Sequence, residues 1–304
     1  MKKIIKRVII SAVCLLLAAV LVMCGIMFFY YPHYKNAKKP ISVSAGSEND
    51  GVINIMSSNL RCINPQDTGK RSWFYRADLI LKNIEAQSPS IIGFQEATKW
   101  QYQYLCDTLE GFDSVIEYRD EMLNSEGCPI FYKTDLYNLI DKGSFWLSET
   151  PEVMSKDWDS ACYRICSYVI LENKADGKQF VVFNTHLDHV SEEARINGIG
   201  VVLDKIAQFG GLPSLIMGDF NCVEGSVTYN KVTENFLDAK YETDNPVKSC
   251  TYQCFGEQLD RECIDFFMIS KQGIKAENYK VVDTTYDGVY PSDHFPICLK
   301  FKLD

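Results

Sequence analysis

The amino-acid sequence predicts an α/β layered fold behind one membrane-spanning helix, and three observations carry the prediction. Short apolar runs such as Phe180-Val181-Val182-Phe183 and Leu215-Ile216-Met217 read as strands buried on both faces. Stretches with apolar residues at helical spacing lie between them. The N-terminus is different again, because residues 8–31 include no charged side chain. That run is longer than the roughly 20 residues a helix needs to cross a bilayer.

Residues 1–7 form a basic flank with Lys2, Lys3, Lys6 and Arg7. They favour a cytoplasmic N-terminus and a domain outside the cytoplasm, although Lys35, Lys38 and Lys39 follow on the far side. The alternative is secretion after signal cleavage. A cleaved signal has a shorter apolar core, about 7–15 residues, with small residues close behind. Here Met23-Cys24-Gly25-Ile26-Met27 follows instead. Residues 32–50, rich in Lys, Pro, Ser, Gly and Asn, read as a linker. The remainder, 51–304, suits one domain with a large core and shows no internal repeat.

Within it the pattern predicts a strand over 52–59. A helix over 73–86 follows, with Phe74, Ala77, Ile80, Leu81 and Ile84 on one face, stopped by Ser88-Pro89. A strand over 90–95 ends at Glu96, and a helix over 98–109 is closed by Gly111. Strands are expected over 129–132, 167–172 and 180–184. A helix over 191–209 carries Ile196, Ile199, Leu203 and Ile206 inward. Strands over 215–217, 263–269, 279–283 and 297–303 complete the series. Clustered strands with interleaved helices imply layers, not a strict parallel barrel.

The chain has 31 Lys+Arg and 40 Asp+Glu; seven of the bases and no acid fall in the first 40 positions, so the rest carries 24 against 40, a net charge of −16. Such a domain does not broadly attract nucleic acid, which enters only as a substrate. Of 12 cysteines, Cys14 and Cys24 lie in the apolar segment. The other ten suit either disulfides in an exported domain or buried thiols. With no CxxC pair and four His, a structural zinc site is not expected.

Polar clusters end the apolar runs: Asn184-Thr185-His186-Leu187-Asp188, Gly218-Asp219-Phe220-Asn221, Ile264-Asp265 and Ser292-Asp293-His294. Strands ending this way deliver His, Asp and Asn to one rim of a sheet, where open sheets bind ligands. Two His with several carboxylates suit metal-assisted attack on a phosphate ester. Glu96 is either a hard oxygen ligand or an acid at a helix N-terminus, and the apolar strand before it favours the ligand. Trp73, Trp100, Trp146 and Trp158 could stack on bases, though packing is the commoner use of such residues.

With Ser57-Ser58-Asn59-Leu60-Arg61, Gly93-Phe94-Gln95-Glu96 and Gly127-Cys128-Pro129-Ile130-Phe131-Tyr132, these clusters stand in fixed order from about residue 53 to 301. In that order the chain resembles the endonuclease/exonuclease/phosphatase superfamily, the DNase I-like fold, as a membrane-anchored, bacterial-type member. The resemblance implies a four-layer sandwich, with two mixed β-sheets packed face to face and helices outside. It implies Mg²⁺, with Mn²⁺ as a substitute, and hydrolysis of phosphate esters. Asn59, Glu96 and Asp293 correspond to metal ligands. His294 corresponds to the catalytic His with Asp265 as its carboxylate. Asp219 is an alternative base, and Asn221 would hold a phosphate oxygen. His186 corresponds to a second His, steadied by Glu126. Arg164 resembles a phosphate-facing Arg and suits a salt bridge equally; Arg61 and Arg76 stand in the same position. Asp188 reads as a site orienter or a surface acid, and His189 as a rim residue.

Residues 119–126 lack the Gly- and Arg-rich pattern that relatives carry there, which leaves the substrate open. Two His favour a diester over a monoester, since attack and departure could be served separately. The expected partners are the phosphate-ester substrate and, through the N-terminal helix, the membrane, with no obligate protein partner. A phosphomonoesterase of the same fold, or an inactive membrane-tethered binding module, are the alternatives.

Overall fold

Helix α1 (Lys2–Gly25) opens the chain, and none of its residues is buried against the rest of the molecule. It is long and apolar enough to cross a membrane by length and composition. The computed structural model describes residues 1–25, 34–35, 37–43, 51–244, 250–260 and 262–304. Positions 26–31 of the expected 8–31 span therefore lie outside the described residues.

The segment expected as a linker over 32–50 is partly docked instead. Tyr34 packs against Phe74 and Tyr104 at ring-centroid distances of 5.3 and 5.4 Å. The Tyr104 hydroxyl donates to the Ala37 carbonyl at 3.1 Å. Strand β1 (Ile41–Ser42) pairs in parallel with β5 (Leu109–Glu110). Val43 is buried, and its carbonyl accepts from Lys133 Nζ. A few aromatic and apolar side chains in a polar stretch are enough to hold it to the domain surface.

The domain holds two six-stranded mixed sheets. The first runs β15 (Ile274–Val281), β16 (Ile297–Leu303), β2 (Ile53–Asn59), β3 (Ile91–Gln95), β8 (Ile130–Lys133) and β6 (Phe112–Val115). The second runs β13 (Phe236–Asp238), β14 (Asp265–Ser270), β12 (Ser214–Asp219), β11 (Gln179–His186), β10 (Ile165–Asn173) and β9 (Tyr137–Trp146). The pairs β2–β3 and β11–β12 are parallel. A two-stranded sheet joins β4 (Ala97–Thr98) to β7 (Glu126–Gly127).

Alternation along each strand builds three cores. Ile53, Ile55, Phe180, Val182, Leu215 and Met217 meet between the sheets. Their neighbours Met56, Ile92 and Phe94 face outward onto α2 (Trp73–Gln87) and α3 (Lys99–Thr108). Val181, Phe183 and Ile216 lie under α4 (Glu192–Ala207) and α5 (Val227–Thr233). The result is the expected four-layer sandwich, and it explains the unbroken apolar runs: the central strands are covered on both faces. Gly93 marks a close approach of the two sheets, since a Cβ there would fall on the Met217 side chain.

Most expected elements are present with ends shifted by a few residues. The ten-residue β9 and the short α5 were not anticipated. β9 is an edge strand with only part of its length buried, so Asp141 and Lys142 interrupt its apolar pattern.

Candidate active site

The rim residues come from corresponding ends of both sheets. In the second sheet the register places His186 beside Asp219 and Asp219 beside Asp265, three functional side chains in a row. Gly218 makes this approach feasible: it has φ 142°, and a Cβ would fall on the Thr185 carbonyl. In the first sheet Asn59 ends β2 beside Gln95, and Glu96 follows. The segment before β16 supplies Asp293 and His294.

Asn59 ties the sheets together. Its amide donates to Glu96 Oε1 at 3.2 Å and across to Asp219 Oδ2 at 3.1 Å. Beneath it, Gln95 Nε2 donates to Asn184 Oδ1 at 2.6 Å and to Ser57 Oγ at 3.1 Å. Asn184 donates onward to the Phe94 and Pro129 carbonyls at 2.8 and 2.9 Å. These buried hydrogen bonds form a polar floor that links the two sheets and fixes the register of the walls above it, while Gln95 Oε1 has no partner among the described residues.

A cleft of about 600 Å³ opens over the floor, and Glu96, Glu126, Arg164, His186, Asp219, Asn221, Asp293 and His294 contribute to its lining. Three residues around it, Arg61 (φ 55°), Glu96 (φ 58°) and Asn221 (φ 48°), hold left-handed backbone that non-glycine residues rarely adopt. Such strain gathers where side chains must be aimed rather than packed.

His294 Nδ1 meets Asp265 Oδ2 at 2.9 Å, and its Nε2 lies 3.6 Å from Asp219 Oδ2. Thr251 Oγ1 accepts from the Asp265 backbone N–H at 3.2 Å. Burial alone would lower the His294 pKa; Asp265 and Asp219 outweigh it and raise it to about 10. Burial, then the Asp265 charge, pushes Asp219 up. Burial also raises Asp293. Glu96 is held low although burial opposes it, because the Cys62 N–H, the His294 charge and Asn59 favour the carboxylate. His186 Nε2 is 3.5 Å from Asp219 Oδ2. Burial, with Arg164 and Arg119 nearby, keeps that imidazole neutral.

The cleft thus gathers the carboxylates of Glu96, Asp219 and Asp293, hard oxygen donors of the kind a small divalent cation takes, with the Asn59 amide beside Glu96 and Asp219 and its Oδ1 accepting from the Arg61 N–H at 2.8 Å. Burial is the largest cause of the raised pKa at both Asp219 and Asp293, and the neighbouring carboxylates Asp265, for Asp219, and Glu96, for both, add to it. Asp219, Asp265 and His294 also lie close enough to share an ion. The bond to Asp265 and the raised pKa favour a protonated His294, which makes the oxygen set the better fit.

Other expected residues have different partners. Glu126 enters the cleft wall, but its hydrogen bond is to Arg119 Nη2 at 2.8 Å, not to His186. Asn221 donates its side-chain amide to the Leu187 carbonyl at 3.0 Å and its backbone N–H to Asp219 Oδ1 at 2.9 Å. Arg164 is buried, 3.0 Å from His189 Nδ1 and 3.5 Å from Asp188 Oδ2. Asp188 is no surface acid: it accepts backbone N–H bonds from Val190, Ser191 and Ala161, which hold its pKa low despite burial. Arg61 pairs with Asp67 at 2.9 Å and reaches Asp293 at 3.7 Å.

Arg76 faces no cleft. Fully buried, it donates to the carbonyls of Arg61, Arg71 and Pro291 at 2.7, 2.9 and 3.0 Å, and also to that of Leu60. It clamps the loop that follows Asn59 to the loop that carries Asp293. Its signal in the sequence was an Arg within the apolar stripe Trp73, Ala77, Ile80 and Ile84. Arg119 and Tyr252, whose ring centroid is 5.0 Å from that of His294, were missed because nothing local distinguishes them.

Residues 56–294 match the model of the Endonuclease/Exonuclease/phosphatase family. An endonuclease/exonuclease/phosphatase from Bacteroides vulgatus is 31% identical, with a TM-score of 0.78 over 83% of this chain and 99% of that one. The mannosyl-6-phosphatase Bt3783 of Bacteroides thetaiotaomicron is 30% identical, with a TM-score of 0.75 over 82% and 99%. The CCR4-Not complex 3′-5′-exoribonuclease subunit Ccr4 of Schizosaccharomyces pombe is 26% identical over 219 residues, covering 56% of this chain and 32% of that protein. The match thus spans about a third of that relative.

Proposed function

The chain belongs to the endonuclease/exonuclease/phosphatase family, and from that premise we propose that it is a membrane-anchored, bacterial-type, Mg²⁺-dependent phosphodiesterase whose catalytic domain lies outside the cytoplasm. The supporting observation is the convergence of Asn59, Glu96, His186, Asp219, Asp293 and the Asp265–His294 pair on one cleft. Asn59, Glu96 and Asp293 would hold the cation, and Mn²⁺ would substitute. When bound, it would polarise the phosphoryl group and offset charge that builds on its oxygens.

The chain's own groups divide the remaining work. Asp219, raised by burial and joined to Asn59 and the Asn221 N–H, is placed to take the proton of the attacking water. His294, kept protonated by Asp265, contributes positive charge to the phosphoryl oxygens. Neutral His186 donates a hydrogen bond to the phosphate or the leaving oxygen. Arg164, fixed by Asp188, presents a guanidinium to the phosphate. Glu126 acts through Arg119, which it orients in the wall.

The test is turnover of bis(p-nitrophenyl) phosphate by the full chain in detergent. Activity is expected to need added Mg²⁺ and to vanish with EDTA. Glu96→Gln and His294→Ala each reduce kcat by about 10²–10⁴-fold. Chelator-insensitive turnover, or an unaffected His294→Ala, overturns the mechanism. A monoesterase reading is favoured by the likeness to a mannosyl-6-phosphatase; it predicts a higher kcat/KM on p-nitrophenyl phosphate than on the diester. No turnover of either ester leaves a binding module.

A further inference from the structure

Outside α1, the three most exposed large apolar side chains among the described residues are Leu123 (92%), Met122 (70%) and Trp100 (66%). All three stand on elements that adjoin the catalytic cleft through Glu126, and together they form its lip. Met122 and Leu123 form the tip of a hairpin whose arms close through the Arg119 N–H to the Glu126 carbonyl at 2.9 Å. Glu126 at its base lines the cleft and pairs with Thr98. Trp100 stands two residues beyond Thr98, in the first turn of α3.

The described residues that follow α1 in the sequence dock on the same helix as Trp100. Tyr34 stacks on Tyr104, one turn along α3 from Trp100. Only residues 26–33 separate Gly25 from Tyr34, a reach of at most roughly 30 Å when extended. Lys35, Lys39 and Lys99 are exposed here, although the domain as a whole is acidic. Lys99 adjoins Trp100 and Glu121 adjoins Met122, so the lip is mixed in charge, and it is its exposed apolar tips that match the headgroup boundary of a bilayer. Three side chains would bind a bilayer weakly on their own. A covalent tether raises their effective concentration into the range of mM, where weak contacts are occupied.

We propose that Trp100, Met122 and Leu123 seat this lip of the cleft on the bilayer, and that the phosphate ester hydrolysed there is carried by a membrane lipid. The proposal rests on the anchored phosphoesterase reading above, and its test separates the two. The full chain is reconstituted into vesicles of phosphatidylcholine, phosphatidylethanolamine, phosphatidylglycerol and phosphatidic acid. Flotation reports the anchor, and bis(p-nitrophenyl) phosphate reports the chemistry. Nitroxide-labelled phosphatidylcholine is expected to quench tryptophan emission, with most of that quenching lost in Trp100→Phe. Met122→Ser/Leu123→Ser should slow release of water-soluble phosphorus from the vesicles by about tenfold while soluble-ester turnover stays within about twofold. If the chain floats and turns over the soluble ester, the docking proposal is overturned by equal quenching in Trp100→Phe, by unchanged lipid hydrolysis in the double variant, or by no lipid hydrolysis at all. A chain that does not float, or that leaves the soluble ester intact, defeats the underlying reading instead.

Discussion

At the scale of single residues, the cleft is a set of charges that burial pushes away from their ordinary states. Asp265 does most to keep His294 protonated. Asp265→Asn is therefore expected to lower kcat about 10²-fold and to bring the alkaline loss of activity to lower pH, because His294 loses its proton sooner; a pH–rate profile decides. Glu126 gives a stability prediction with a definite sign. Burial and the Glu96 charge raise it from 4.5 to about 7 even beside Arg119. A raised carboxyl favours the fold below pH 4.5, and that contribution is lost as pH rises through 7. In metal-free protein, Glu126→Gln should flatten the fall of Tm between these pH values by a few degrees, roughly 2–4 °C per kcal/mol for a domain of this size. An identical slope in the variant would show that Glu126 is ionised in the fold.

At the scale of elements, Arg76 on α2 holds the β2 and β16 approach loops through backbone carbonyls. Arg76→Leu leaves several buried acceptors unpaired and is expected to cost at least about 3 kcal/mol by urea unfolding, at about 1–3 for each orphaned group. Activity should fall further than stability explains, because both loops carry cleft residues; unchanged unfolding would refute the clamp. Arg76 also marks the limit of what the sequence made legible. Strands covered on both faces, such as β11 and β12, announced themselves as apolar runs, and the polar residues ending them stood out against that background. β9 did not, because an edge strand is only half covered. The docking of Tyr34, Ile41 and Val43 was hidden because these residues are sparse among lysines. Glu126, Asn221 and Asp188 were found by position, but their partners depend on side-chain packing that no spacing encodes.

At the scale of the whole molecule, the proposed anchoring through α1 would give the acidic domain an orientation. With the N-terminus cytoplasmic, trypsin added to intact spheroplasts should remove the domain; protection until lysis would reverse the topology. The centre itself is divided between the molecule's two ends, with Asn59 and Glu96 early in the chain and Asp265, Asp293 and His294 late. Neither sheet holds a complete set. A polypeptide threaded outward from its N-terminus would carry no working catalyst until almost its last strand had emerged and closed against the first. In that topology, the timing of synthesis alone would shield the cell's own phosphate esters from the enzyme being exported.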